Sequence, residues 1–410
     1  MSHSCRHCGS LLQQEVIDLG HQPPSNAYLT AEQLLLPELT YPLKVYVCTD
    51  CWLVQLPAHA AAEELFTADY AYFSSTSESW CAHAQRFVEQ AVEQLELGPK
   101  SLVVEIASND GYLLQYVQQR GIPCLGIEPT QATANAARNR GIETIERFFG
   151  TALAEELTAE GAPVSGGADL VVANNVLAHV PDINDFMAGI AKLLKPQGRA
   201  SLEFPHLLRL LEGNQFDTIY HEHYSYLSLK VVQQIANLVG LVIADVEQLA
   251  THGGSLRVWL VHQGTTEPSR SVEELLAIEA ISQLEQIETY TDFQKRAEAA
   301  KDDLLGFLLQ EKQNGKFVLG YGAAAKGNTL LNYAGVKVDL LPAVADRAMS
   351  KQGKFLPGSH IPVISPEELI KQQVDWLLVL PWNLVHEIRK QLPEYPLVTA
   401  IPELKTWSSQ

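Results

Sequence analysis

Three things are scarce in this chain of 410 residues. Long apolar runs are missing: no window approaches the ~18 uninterrupted apolar residues that a membrane span requires. The opening MSHSCRHCGS also lacks the apolar core of a signal peptide, so a soluble, cytoplasmic protein with no membrane partner is expected. Basic residues are in deficit, 29 against 48 acidic for a net charge of −19, and no dense Lys/Arg block offsets it locally. Phosphate-backbone binding depends on such a block, so nucleic acid is not an expected partner. An anionic small molecule stays within reach, because a few backbone N–H groups and one or two cations can hold a diphosphate. Cysteine is the third scarcity, six in all, yet four of the six fall into two pairs.

Those pairs, Cys5-x2-Cys8 and Cys48-x2-Cys51, can each place two thiolates on one cation, and together they make a tetrahedral four-sulfur set. Turn signals at 21–26 and an extended stretch from Tyr41 to Val47 allow a hairpin to return the second pair to the first. A cytoplasmic setting argues against disulfides. With all four positions filled by sulfur, a bound zinc ion would stabilise the fold rather than catalyse. Phe66 to Ser77 follows, aromatic residues and then a hydroxyl run. It is read either as a packed linker that ends in the N-cap of a helix from about Trp80 to Leu97, or with Tyr70, Tyr72 and Ser75 at the mouth of a pocket.

An apolar content of 46% makes the chain globular, and its length suggests two or three domains. From residue 101 apolar runs at 101–106, 124–128, 169–173, 199–204, 241–244 and 255–260 read as strands, most with helical pattern between them, which predicts a doubly wound α/β sheet. Ligands of such sheets bind beyond the carboxyl ends of the strands. The first strand ends in Glu105-Ile106-Ala107-Ser108-Asn109-Asp110-Gly111 and the second at Glu128, where an acid commonly receives ribose hydroxyls. The dinucleotide pattern GxGxxG is absent, since Ala107 and Asn109 stand in place of its first glycines. Glu105 and Asp110 suit a cofactor with an amino group and a sulfonium, which points to S-adenosylmethionine.

The densest chemistry is Tyr220-His221-Glu222-His223-Tyr224-Ser225-Tyr226, three phenols, two imidazoles, a carboxylate and a hydroxyl in one run. It is either an active-site loop or a polar loop with hydrogen-bonded histidines. Residues 269–314 read as a charged helical connector. Beyond it, 316–329 gives a strand, the small-residue turn Gly320-Tyr321-Gly322-Ala323-Ala324-Ala325 and a helix start, a pattern that serves either an anion site or close helix–strand packing.

Taken in order, CxxC…CxxC, EIASNDGYLL, GIEP, NNVLAHVPD, YHEHYSYLS, HGGSLRV and GYGAAAKGN resemble the sugar C-methyltransferase family that acts on nucleotide-linked, for instance dTDP-linked, 4-keto-deoxysugars. The resemblance spans nearly the whole chain. It implies a zinc-binding N-terminal region (residues 1–75), a central class I Rossmann-like methyltransferase domain (76–268) and a helical connector with a smaller C-terminal α/β domain that helps hold the nucleotide sugar (269–410). It also implies methylation at C3 after deprotonation to an enolate. His223 is then the expected base, with Glu222 in support and Tyr220 or His179 hydrogen-bonding the enolate or a sugar hydroxyl. The expected cofactor contacts are Glu105, Ala107, Asn109, Asp110, Gly111, Glu128, Asn174 and Asn175. For the substrate they are Tyr72, Ser75, His221, Ala324, Lys326 and Asn328. The rival readings are an O- or N-methyltransferase of a small metabolite, an NAD-dependent sugar oxidoreductase and a zinc-bearing RNA methyltransferase. The oligomeric state is left open.

Overall fold

A computed structural model describes residues 3–60, 64 and 73–409. Within it the chain forms three sheets of appreciable size, and the end of the run 220–226 joins one of them.

The central sheet has seven strands in the order Leu241–Leu249, Ser255–His262, Leu194–Pro205, Ala168–Asn174, Val103–Ile106, Cys124–Ile127 and Thr144–Ile145. All pairings are parallel except the two made by Ser255–His262. This is the class I methyltransferase arrangement that the resemblance implies. Its middle strands are continuous apolar runs because helices cover both faces: Val103, Val104, Leu170, Val171, Val172 and Ala173 are all buried. The helix expected after Ser77 runs over Glu78–Gln94, and the Ser77 side chain accepts from Trp80 N.

The N-terminal sheet pairs Gln14–Gln22 with Tyr41–Val47, so the expected hairpin does return the second cysteine pair to the first. Val54–Gln55 adds a third strand and Ser225–Tyr226 a fourth. That last pairing was not legible in the sequence, and it splices the end of the tyrosine–histidine run into the N-terminal unit.

The C-terminal sheet has six strands, Val363–Ile364, Val344–Ala345, Val318–Tyr321, Trp376–Val379, Leu397–Thr399 and Lys405–Trp407, parallel but for the last. The connector is three helices rather than one, Arg270–Ile281, Glu288–Thr291 and Phe293–Gln313. The break contains Gln283 in the left-handed region (φ 56°), a conformation that cannot continue a right-handed helix.

Candidate active site

The two cysteine turns are built alike. In each, the residue four places after the first cysteine donates its N–H to that cysteine's carbonyl, Gly9 to Cys5 and Trp52 to Cys48, both at 2.9 Å. Both residues are left-handed, Gly9 at φ 80° and Trp52 at φ 64°. The four sulfurs lie within 4.8 Å of one another, with Cys5 to Cys51 and Cys8 to Cys48 each at 3.5 Å. Tetrahedral zinc with Zn–S of ~2.3 Å needs sulfurs ~3.8 Å apart, so the set fits the ion. Gln55 Nε2 donates to Cys5 Sγ at 3.1 Å and orients that ligand.

This knuckle grips residues 181–184 directly and the run 220–226 through Leu56. Arg6 donates to Pro181 O at 2.8 Å and to Leu56 O. His7 Nδ1 meets Asn184 Oδ1, and Asn184 Nδ2 donates back to His7 O, both at 2.8 Å. Leu56 N donates to Tyr224 O, and Tyr224 N donates to Ala178 O. Zinc binding is thereby tied to the position of residues 178–184 and 220–226.

At the carboxyl ends of the first two central strands the chain turns through left-handed Ala107, Asn109 and Gly111. A side chain on Gly111 would collide with Ile142. Glu128 closes the turn: its Oε2 accepts Asn109 N and its Oε1 accepts Thr130 N, both at 2.9 Å. Glu105 is buried beneath, with Oε2 unpartnered. Burial, reinforced by Asp110 and Glu128, pushes its carboxyl well above the usual range. Asp110 is engaged by Ser75, through both N–H and Oγ, and by Arg140 at 3.4 Å. Ser75 therefore closes over the cofactor turn. Asn174 ends the fourth strand in sequence with its Oδ1 buried and unpartnered, and Asn175 Nδ2 donates to His252 Nε2 at 3.3 Å. Three carboxylates around a left-handed turn, with orphaned polar atoms at 105, 174 and 175, match a ligand that carries ribose hydroxyls, an ammonium and a sulfonium.

His223 of the run 220–226 forms a cluster with His179 and Tyr220. His223 is buried, and its Nδ1 donates to Thr218 O at 2.7 Å, which fixes the tautomer and leaves the lone pair on Nε2. Nothing among the described residues hydrogen-bonds Nε2. Burial, followed by the neighbouring His179, holds His223 well below an ordinary imidazole. The Tyr220 ring lies 4.0 Å and the His179 ring 4.6 Å from that of His223. His179 Nδ1 donates to Glu222 O at 2.8 Å, and burial pushes it down to about 4. Glu222 does not reach His223. Its Oε1 accepts from Asn26 at 3.1 Å, its Oε2 is buried without a partner, and burial raises the carboxyl. Thr218 O, not Glu222, fixes the His223 ring. His221 is turned away from the cluster onto Tyr41 of the N-terminal sheet, ring centroids 5.8 Å apart. Tyr72 lies outside the described residues. Tyr224 and Tyr226 are buried in the packing.

From the other side, the helix Ala325–Ala334 brings Lys326, and the loop after Trp376–Val379 brings Trp382 and Asn383. Trp382 Nε1 donates to buried Asp217 at 2.7 Å. Lys326 Nζ donates to Asn383 Oδ1 at 2.9 Å and lies 4.8 Å from the centre of the Trp382 ring. Burial pushes Asp217 up to about 6 against the pull of Lys326. Two of the residues expected to hold phosphate are already committed: Asn328 Nδ2 donates to Ser25 O at 2.7 Å, and Ala324 N to Gly322 O at 2.8 Å. Asp217, Asn26, Trp382 and Asn383 were not singled out in the sequence. His252 is left-handed (φ 54°) and its ring is 5.2 Å from that of Trp80.

With this geometry in view, comparison with known proteins is decisive. The C-methyltransferase NovU of Streptomyces niveus is 34% identical over 412 residues, covering 99% of this chain and 97% of that protein. This chain belongs to the same C-methyltransferase family. Family models divide this C-methyltransferase into a zinc binding domain at residues 5–66, a methyltransferase domain at 80–246 and a C-methyltransferase C-terminal domain at 250–400. A ubiquinone biosynthesis O-methyltransferase of Bordetella avium (strain 197N) is 31% identical over 97 residues, 23% of this chain and 39% of that protein. Among solved structures, a magnesium protoporphyrin IX methyltransferase of Synechocystis PCC 6803 with bound SAM aligns at 18% identity and TM-score 0.32, covering 44% of this chain and 79% of that one. The PH0226 protein of Pyrococcus horikoshii OT3 aligns at 14% identity and TM-score 0.39, covering 47% and 95%. The enzyme is an S-adenosylmethionine-dependent C-methyltransferase with a structural zinc site at Cys5, Cys8, Cys48 and Cys51. Among its described residues no helix is long and apolar enough to cross a membrane.

Proposed function

We propose that this C-methyltransferase acts on a nucleotide-linked 4-keto-deoxysugar, removing the proton at C3 with His223 and methylating the resulting enolate carbon. The observation that carries the reading is the free Nε2 of a buried His223 whose Nδ1 is locked on Thr218 O, beside the phenol of Tyr220 and the imidazole of His179.

Carbon is methylated only as a carbanion equivalent, and a ketone next to the C–H supplies one by delocalising charge onto oxygen. Imidazole is a far weaker base than an enolate, so oxyanion stabilisation has to make up most of the difference. Bound S-adenosylmethionine supplies the electrophilic methyl group. The chain supplies everything else. Glu105, Asn109, Glu128, Asn174 and Asn175 hold the donor at the strand ends. His223 Nε2 accepts the C3 proton. Tyr220 and His179 hydrogen-bond the sugar, and Glu222 fixes His179 through its carbonyl while its unpartnered Oε2 receives a sugar hydroxyl. Burial of the histidines keeps them neutral, so the base form is present at neutral pH.

The test is solvent exchange. In D2O, with a dTDP-linked 4-keto-6-deoxyhexose and no methyl donor, the wild type should place deuterium at C3. His223→Ala should lose that exchange while still binding S-adenosylhomocysteine. Full exchange in the variant would remove His223 from the role of base.

A further inference from the structure

The cation of the C-terminal turn has an unusual situation. Lys326 stands one residue inside the helix Ala325–Ala334. Its Nζ has three N–H groups to satisfy, and among the described residues only Asn383 Oδ1 accepts one, at 2.9 Å. The Trp382 ring, 4.8 Å away, supports the charge from one side, and Trp382 is itself anchored on Asp217 Oδ2 at 2.7 Å. Asp217 is fully buried, and its Oδ1 has no partner. It lies in the short helix Phe216–Thr218, next to the Thr218 carbonyl that holds His223. Through Trp382 and Asp217 the ammonium is linked to the segment that holds His223. Its charge is felt there, since it helps hold both His223 and His252 below the ordinary imidazole range.

The small-residue turn behind Lys326 is poorly placed to take a diphosphate. Ala323 N already donates to Asp346 Oδ2 at 2.6 Å, Ala324 N is used on Gly322 O, and Asn328 holds Ser25 O. A resident carboxylate occupies the position where an anionic ligand would approach. Close packing accounts for the glycine, because a Cβ on Gly322 would come within 2.6 Å of Pro381 Cγ.

We infer that Lys326 is a further catalytic residue, hydrogen-bonding the substrate's keto oxygen as it becomes an enolate oxygen, and that Asp217 positions it through Trp382. The inference rests on the keto-sugar reading above. As the C3–H bond breaks, the proton goes to His223 Nε2, the bonding pair forms C3=C4, and the C4=O pair moves onto oxygen, where the Lys326 N–H groups receive it. The ammonium keeps all its protons.

The experiment compares two readouts in Lys326→Met, with Lys326→Gln as a second variant that retains an amide for Asn383 should the first melt early. Deuterium exchange at C3 under saturating keto-sugar should fall by about 10²- to 10³-fold, while the Kd for dTDP alone stays unchanged. A weakened dTDP affinity with exchange intact at saturation would overturn the inference and make Lys326 a phosphate contact. So would no change in either readout. A wild type that exchanges alongside a variant that also exchanges sinks this inference alone, whereas a wild type with no exchange sinks the keto-sugar reading with it.

Discussion

The two α/β units of this enzyme use the same device, a strand running through a small-residue turn into a helix, and give it opposite charge. In the central domain the turn after Val103–Ile106 passes through left-handed Ala107, Asn109 and Gly111 and is ringed by Glu105, Asp110 and Glu128. In the C-terminal domain the turn after Val318–Tyr321 needs only Gly322 at positive φ, enters its helix at once, and offers Lys326. The first suits a cationic donor and the second an anion. The backbone builds the turn at a strand end in both, but the side chains choose the charge it presents.

The comparison holds only while the loop between the two turns is fixed, and the largest expected effect comes from releasing it. Cys48→Ser removes a thiolate from the knuckle whose sheet includes Ser225–Tyr226. Loss of a structural metal belongs with the changes that cost about 4 kcal/mol or more. Calorimetry should show a large drop in melting temperature, and exchange at C3 should disappear with it. Zinc-free protein that retains exchange would break the link between knuckle and base.

A second change addresses the acidic turn alone. Glu128→Gln replaces an acceptor of Asn109 N and Thr130 N with a group that can no longer accept at both ends. Hydrogen bonds to a charged group are worth about 1.5–3 kcal/mol, so S-adenosylhomocysteine should bind roughly tenfold to a hundredfold more weakly by calorimetric titration. The affinity for dTDP should not move. If both ligands weaken together, the two turns are not independent.

The C-terminal turn has its counterpart in Gly322→Ala, which puts a methyl group against Pro381 at φ 85°. Overpacking of this kind costs about 1–3 kcal/mol, visible as a lower denaturant midpoint, while donor binding is kept.

The smallest effect is on pH dependence. In the proposed mechanism protonation of His223 removes the base, and burial together with the His179, His252 and Lys326 neighbours disfavours the proton. The acid limb of the exchange rate should therefore fall below the ~6.5 of a free imidazole, and Lys326→Met should move it back upward. A limb at or above that value in the wild type would mean that the positive turn does not reach the base.

Much of this was readable in the residues because it is local. Paired CxxC motifs, apolar runs buried on both faces, an acid ending each of the first two strands and the density of titrating groups at 220–226 all act within a few positions of one another. What escaped depends on distant chain segments. A strand of two residues, such as Ser225–Tyr226, Thr144–Ile145 or Val363–Ile364, has no period to detect. Thr218, though only five positions from His223, gives no residue-type signal because it acts through its backbone carbonyl. Asp217 and Trp382 lie 165 positions apart in sequence, and neither signals the other. His221, chemically the equal of His223, lies in the turn before Ser225–Tyr226 and packs on Tyr41 of the N-terminal sheet, a contact with a segment 180 positions away.

The sharing of one sheet by residues 14–55 and 225–226 also governs how this enzyme can be recombined. The zinc unit is not a detachable module, because one of its strands belongs to the tyrosine–histidine run 220–226. A chimera that exchanges the N-terminal segment between two relatives must carry residues 220–226 with it, or the donated knuckle will meet a strand cut for another partner.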